Sequence, residues 1–206
     1  MNIIPVTLTG KYVRLEPLSE EHIPGLAAIG AGQDFWQFML YGDIETEEDM
    51  RRWVLDMLAR AQKGTDLPFA VIHLASGRVA GATRYLNIMP KDRGLEIGGT
   101  WYGTEFQRTA VNTECKYLLL KHAFETLGAI RVQIKTDLRN VRSQKAIERL
   151  GAVKEGVFRN HMILPDGTIR HSVFYSILDT EWEGVKRRLE EILAIRASPE
   201  QTAQMR

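Results

Sequence analysis

The chain contains one cysteine, Cys115. A single thiol closes no internal disulfide, so packing must hold the fold, and the sequence suits a reducing compartment. Long apolar runs are missing too: none approaches the roughly 20 residues of a membrane-spanning helix. Residues 1–10 lack the basic segment and apolar stretch of a secretory leader. These absences lead us to expect a cytoplasmic protein. Neither sign of charge is in excess, since 27 Lys and Arg residues face 26 Asp and Glu residues for a net charge of +1. Neither nucleic acid nor a membrane surface is therefore expected as a partner. His22, His73 and His122 show no metal-ligand spacing, and no metal is expected. A G-x-G-x-x-G run after an early strand is absent as well, which argues against a dinucleotide-binding domain.

What the sequence does have is an ordinary globular composition, 44% hydrophobic and 26% charged over 206 residues. That length supports one sizeable core. A single domain over residues 1–196 is expected, followed by a polar tail over 197–206. Residues 12–15 read as a short strand, and Ser19 is placed to cap a helix over 20–29. Residues 30–43 show no period and read as a loop. Thr46 followed by Asp49 opens a helix whose apolar face is Met50, Trp53, Val54, Met57, Leu58 and Ala61. Residues 69–74 and 78–86 read as strands joined by a turn at Ser76-Gly77. The next strand, 95–102, contains Gly98-Gly99, which suggests a bulge. A leucine-rich helix over 115–127 is stopped by Gly128. Ile130, Val132 and Ile134 then alternate with Arg131, Gln133 and Lys135 in a strand. Two final strands, 153–158 and 169–177, flank the turn Pro165-Asp166-Gly167. Trp182, Val185, Leu189 and Ile192 line one face of a last helix.

Two segments carry the chemistry. Gln107-Arg108-Thr109-Ala110-Val111-Asn112-Thr113-Glu114 joins a strand to the leucine-rich helix. Small polar residues there turn backbone N–H groups outward at a helix N-terminus, whose unpaired amides and partial positive charge suit a phosphate. The second segment runs from Asn140 to Ala152, with Asn140 able to cap the helix behind it. Together they resemble the GNAT acyl-CoA N-acyltransferases, particularly the branch that acetylates N-termini of ribosomal proteins. Gln107 matches the first position of that family's Q/R-x-x-G-x-G/A phosphate loop, while Ala110 and Asn112 stand where glycines are usual. Asn140, Ser143, Glu148, Leu150 and Gly151 match its N-x-x-S/A-x-x-x-(Y)-E-K-L-G pattern. The likeness runs from about Tyr12 to about Leu189.

The resemblance implies an α/β fold: a mixed, twisted central sheet with a bulged, splayed strand pair, flanked by helices. It implies acetyl-CoA as acyl donor, its pantetheine arm against the backbone of Thr100, Trp101 and Tyr102. The diphosphate would lie on the main-chain amides of Arg108, Thr109, Ala110, Val111, Asn112 and Thr113. Ala110 adds only a methyl group, and Asn112 tolerates a left-handed backbone. Asn140 would bond pantetheine. The tyrosine acid of many family members is replaced by Ile147. The resemblance hands that role to Ser143, whose hydroxyl can donate to a developing thiolate. Glu96 either takes the proton of the attacking amine or is a rim carboxylate paired with Arg93 or Arg84. Arg84, Tyr85 and His161 are candidates for the acceptor pocket. Phe35, Trp36, Phe38 and Tyr41 are core residues by default, or its roof. Cys115 reads as core, not nucleophile. The expected partners are acetyl-CoA and an amine. Similar proteins are commonly dimers, so a homodimer is compatible with the sequence. The alternative to an enzyme is a non-catalytic module that senses acyl-CoA and binds a partner protein.

Overall fold

The computed structural model of the protein describes residues 1–197. Of the expected tail over 197–206, residues 198–206 lie outside the described residues. Eight strands form one sheet in the order β1-β2-β3-β4-β5-β6-β8-β7. They are β1 (Leu8–Thr9), β2 (Val13–Pro17), β3 (Leu67–His73), β4 (Arg78–Met89), β5 (Gly94–Tyr102), β6 (Arg131–Asp137), β7 (Val153–Ile163) and β8 (Ile169–Leu178). Every neighbouring pair is antiparallel except β5–β6. The helices are α1 (Ile23–Gly30), α2 (Glu47–Gln62), α3 (Ala110–Lys121), α4 (Val141–Leu150) and α5 (Asp179–Ala197). α1 packs on α2 and β4, while α3 packs on α5 and β2.

Local chemistry explains where the elements begin. The Thr46–Asp49 capping box forms, with the Thr46 hydroxyl accepting from the Asp49 amide at 3.1 Å and the Asp49 carboxylate accepting from the Thr46 amide at 2.9 Å. The helix expected over 20–29 divides instead into a 3-10 turn, Glu20–His22, followed by α1. Pro24, at the start of α1, has no amide hydrogen to continue a helix from the preceding turn. α3 starts at Ala110 rather than at residue 115, because the Thr109 hydroxyl caps it by accepting from the Val111 amide at 3.2 Å. Beyond Lys121 it widens into a π turn, His122–Thr126. Glu114 on α3 is buried and accepts from the amides of Lys11, Tyr12 and Val13 at 2.8, 2.6 and 2.7 Å, fastening the start of β2 to the helix. The two-residue β1 carries no alternation long enough to be read from sequence.

One irregularity shapes the molecule. Trp101 pairs with Ala82 and Gly98 with Arg84, so Gly99 and Thr100 together face Thr83 in a bulge. Gly99 takes φ +58°, in the left-handed region that glycine enters without strain. Past the bulge the parallel pair comes apart. Gly94, Leu95 and Glu96 pair with Arg131, Val132 and Gln133, and no later residue of β5 pairs with β6. β6 meanwhile stays on β8 as far as Asp137. The sheet therefore opens between β5 and β6. Side chains alternate across it: Leu95, Ile97, Val132 and Ile134 are buried in the core, and Glu96, Gln133 and Lys135 point to the other face.

Candidate active site

The opening between β5 and β6 is a cavity of about 480 Å³. The bulged end of β5, the start of α3, the first turns of α4 and the aromatic loop before α2 line it. Among the described residues, eight lysine and arginine side chains line it, against one carboxylate, Glu96. On a chain whose charges nearly cancel, that is a concentrated positive field, and a cleft focuses it further.

At the α3 end, Arg108, Thr109 and Asn112 line the cavity. Ala110, Val111 and Thr113 do not, and Val111 and Thr113 are buried. The expected phosphate loop is thus in large part the first helical turn, and the Val111 amide already bonds the Thr109 hydroxyl. Asn112 is helical, so its tolerance of left-handed geometry goes unused. Arg108 takes that geometry instead, at φ +61°, a conformation that costs an ordinary residue about 1–2 kcal/mol.

Below this turn lies Lys116, which the sequence reading missed. It is only 5% exposed, lines the cavity and donates to the Thr100 hydroxyl at 2.5 Å, which in turn meets the Thr83 hydroxyl at 2.8 Å. Burial pushes its ammonium down to about 8. A signal existed: Lys116, Leu120 and Ala123 fall at i, i+4 and i+7, on the buried stripe of the helix.

The second segment meets the first here. The Asn140 side chain accepts from the Ser143 amide at 2.9 Å, which starts α4 and sets Ser143 on the cavity wall. Arg142 donates to the Gln107 side chain at 2.9 Å, linking the two sequence motifs directly. Ile147, in the place of the missing tyrosine, also lines the cavity. Thr100, Trp101 and Tyr102 form the β5 wall, and their backbone is without a β6 partner.

Glu96 is not a rim carboxylate. It is 2% exposed, and its Oε2 accepts from Asn87 at 2.8 Å, Gln133 at 2.9 Å and Lys135 at 3.0 Å. Neither arginine suggested from sequence pairs with it. Arg93 donates to the Gly128 carbonyl at 2.7 Å, and Arg84 pairs with buried Asp66 at 3.0 Å. Arg84 does line the cavity, as do Phe35, Phe38 and Tyr41.

Three acceptor-pocket candidates lie elsewhere. Tyr85 is fully buried on the α3 face, its hydroxyl donating to the Leu119 carbonyl at 2.6 Å. Alternation along β4 sends Tyr85 to one face and Arg84 to the other. Trp36 is buried one layer behind the cavity, donating to the Gly30 carbonyl at 2.6 Å and packing on Phe35 and Trp101 with ring centroids 5.0 and 5.2 Å away. His161 lines a separate hollow with Phe158, Arg159, Asn160 and His171, its Nδ1 2.9 Å from the Ser172 hydroxyl. Partial burial and the nearby Lys135 and Arg170 charges hold its imidazole below its ordinary value. Cys115 is core, and burial raises its thiol. Among the described residues, no three His, Cys, Asp or Glu side chains gather closely enough to hold a metal ion, and no helix is long and apolar enough to cross a membrane.

Known proteins resemble this chain in sequence and fold. Residues 13–153 match the family model described as "Acetyltransferase (GNAT) domain". The "Putative ribosomal N-acetyltransferase YdaF" of Bacillus subtilis (strain 168) is 34% identical over 113 residues, covering 55% of this chain and 61% of that protein. The match thus spans less than two thirds of that relative's length. A GCN5-related N-acetyltransferase structure from Brucella melitensis superposes with a TM-score of 0.87 at 31% identity, over 96% of this chain and 88% of the other. A "putative acetyltransferase" from T. thermophilus is 41% identical with a TM-score of 0.86, over 94% and 100% of the two chains.

Proposed function

The chain belongs to the GNAT acetyltransferase family, and from that premise we propose that it passes the acetyl group of acetyl-CoA directly to a primary amine in a ternary complex. The acceptor is a protein or peptide N-terminus, as the name of the YdaF relative suggests, or a small amine. In this reading one domain over residues 1–196 acts in the cytoplasm, and the single eight-stranded sheet supports treating it as one unit.

The observation that carries the proposal is the charge of the cleft: eight cations against one carboxylate. A polyanion with a diphosphate group and a further phosphate fits such a lining, and a neutral ligand gives no reason for it. The α3 N-terminus and Arg108 would hold the diphosphate, with the Lys116 charge beneath them. The backbone of Thr100, Trp101 and Tyr102 pairs with β4 on one side and lacks a strand partner on the β6 side, where it is open to the pantetheine chain, apart from the Tyr102 carbonyl, which already accepts from the Gln107 side chain at 3.0 Å. Bound there, acetyl-CoA supplies an acetyl group activated as a thioester.

The chain's own groups handle the protons. An amine attacks only when neutral. Glu96 carries its three donors on Oε2, so Oε1 is the atom assigned to take the amine's proton, directly or through water. Ser143 donates toward the sulfur as negative charge grows on it. Calorimetry with acetyl-CoA and with CoA, followed by release of free CoA thiol with a panel of amines, tests the reading. Saturable binding at micromolar strength and turnover with at least one amine are expected. No binding removes the proposal, and binding without turnover points to the non-catalytic acyl-CoA sensor.

A further inference from the structure

Arg170, the second residue of β8, lies beyond the end of β6, since Asp137, the last residue of β6, pairs with Ser172. Alternation places Arg170, Ser172 and Phe174 on one face with Lys135 and Asp137, the face that also carries Glu96. Arg170 is 6% exposed and lines the cavity. Its Nε donates to the Ser172 hydroxyl at 3.0 Å and its Nη1 to the Phe38 carbonyl at 3.1 Å. A guanidinium has five N–H groups, so these two bonds fix its plane and leave donors over.

The charges around it cancel in pairs. Glu96 bonds Lys135 at 3.0 Å and Asp137 bonds Arg139 at 2.8 Å, while Asp66 lies in an ion pair with Arg84 at 3.0 Å elsewhere on the cavity wall. Asp137 and Glu96 act on Arg170 only through space, and no carboxylate among the described residues forms an ion pair with it. A buried cation without a counter-ion is costly, and a ligand that supplies one gains what the protein alone forgoes. At this end of the cavity the uncompensated charge is that of Arg170, and a single carboxylate balances it.

We propose, resting on the acetyl-transfer reading above, that the acceptor amine belongs to a molecule that also carries a carboxylate, and that Arg170 receives that carboxylate in a forked pair. Planar guanidinium–carboxylate pairing is the geometry arginine makes best. The carboxylate comes either from a free amino acid or from an acidic side chain near a peptide's N-terminus.

The test uses matched acceptors. Free L-serine is compared with L-serine amide, and the amidated tripeptide Ser-Glu-Ala with Ser-Gln-Ala. Each is offered to the full chain with acetyl-CoA for turnover, and titrated by calorimetry into the CoA-loaded protein for binding. We expect one acid to exceed its amide by roughly ten- to a hundredfold in kcat/KM, chiefly through KM. The pair that shows this identifies the source of the carboxylate. Arg170→Gln should bring that ratio close to one whatever it does to absolute rates, and Arg170→Lys should leave an intermediate ratio. Turnover with no preference for either acid overturns the inference and leaves the transferase reading standing. Preferential binding of an acid without turnover does the reverse. An Arg170→Gln protein that keeps the wild-type ratio also overturns it, and if that variant fails to fold, the wild-type ratios and Arg170→Lys decide.

Discussion

Ser143 lines the cleft, and its backbone amide, not its hydroxyl, bonds the Asn140 side chain. Ser143→Ala should therefore leave acetyl-CoA affinity close to wild type by calorimetry while kcat falls roughly ten- to a thousandfold; full turnover would reduce the serine to a helix residue. Glu96 makes a different prediction. If its Oε1 accepts the amine's proton, Glu96→Gln should slow the reaction most at low pH, with the deficit shrinking as free amine accumulates. Superimposable pH–rate profiles would instead assign Glu96 to holding Lys135. Lys116 bears on stability. Its ammonium titrates near 8 in the fold and near its ordinary 10.5 when unfolded, so between those values the unfolded chain holds more protons and stability rises with pH. Below that window the burden of the buried charge is complete. Lys116→Met should thus stabilise the ligand-free protein at pH 7, by up to about 3 kcal/mol, and the gain should fade as pH climbs through 8 toward 10. Denaturant melts at pH 7 and 10 check this. None of these polar positions could be graded from sequence alone. Lys116 and Arg170 read as ordinary charges along the chain, Glu96 is a candidate only through the family resemblance, and the assembled sheet shows that each is buried and what it touches.

The elements were more legible than their ends. Alternation in Ile130, Val132 and Ile134 gave β6, Gly98-Gly99 gave the bulge, and Thr46 with Asp49 gave the start of α2, because each signal is local. α3 starts five residues before the leucine-rich stretch that marks it in the sequence. Thr109 caps it, but a threonine amid other small polar residues looks the same as a loop. Tyr85 lies off the cleft although the sequence offers it there, because both faces of β4 are buried at this point and alternation alone does not say which face lines a cleft. The bulge itself supplies a test. A valine at Gly99 would have to adopt φ +58° and bring its Cβ to 3.3 Å from the Arg84 guanidinium. Gly99→Val should cost about 1–2 kcal/mol, seen as a lower melting temperature, together with weaker acetyl-CoA binding by calorimetry. A variant as stable and as tightly binding as wild type would mean that the bulge does not set the opening.

At the scale of the whole molecule, nearly balanced charge coexists with a strongly basic cleft. Acetyl-CoA binding should weaken several-fold as ionic strength rises from about 20 to about 300 mM, because the screening length contracts across that range, while the KM for an uncharged amine stays flat. A salt-independent acetyl-CoA KM would deny the cleft its electrostatic role. The contacts that assemble this cleft also bear on how the chain reaches its native form. Glu114 closes on the amides of Lys11, Tyr12 and Val13 across 103, 102 and 101 residues of sequence. On a ribosome, β2 therefore emerges long before the helix that must hold it, and its amides wait on solvent or on a chaperone for half the length of synthesis. Such distant closures are slow to form, and partly made sheets with open edges are prone to associate. Refolding from denaturant should then pass through a slow phase that restores β2 and the α3 helix in one step.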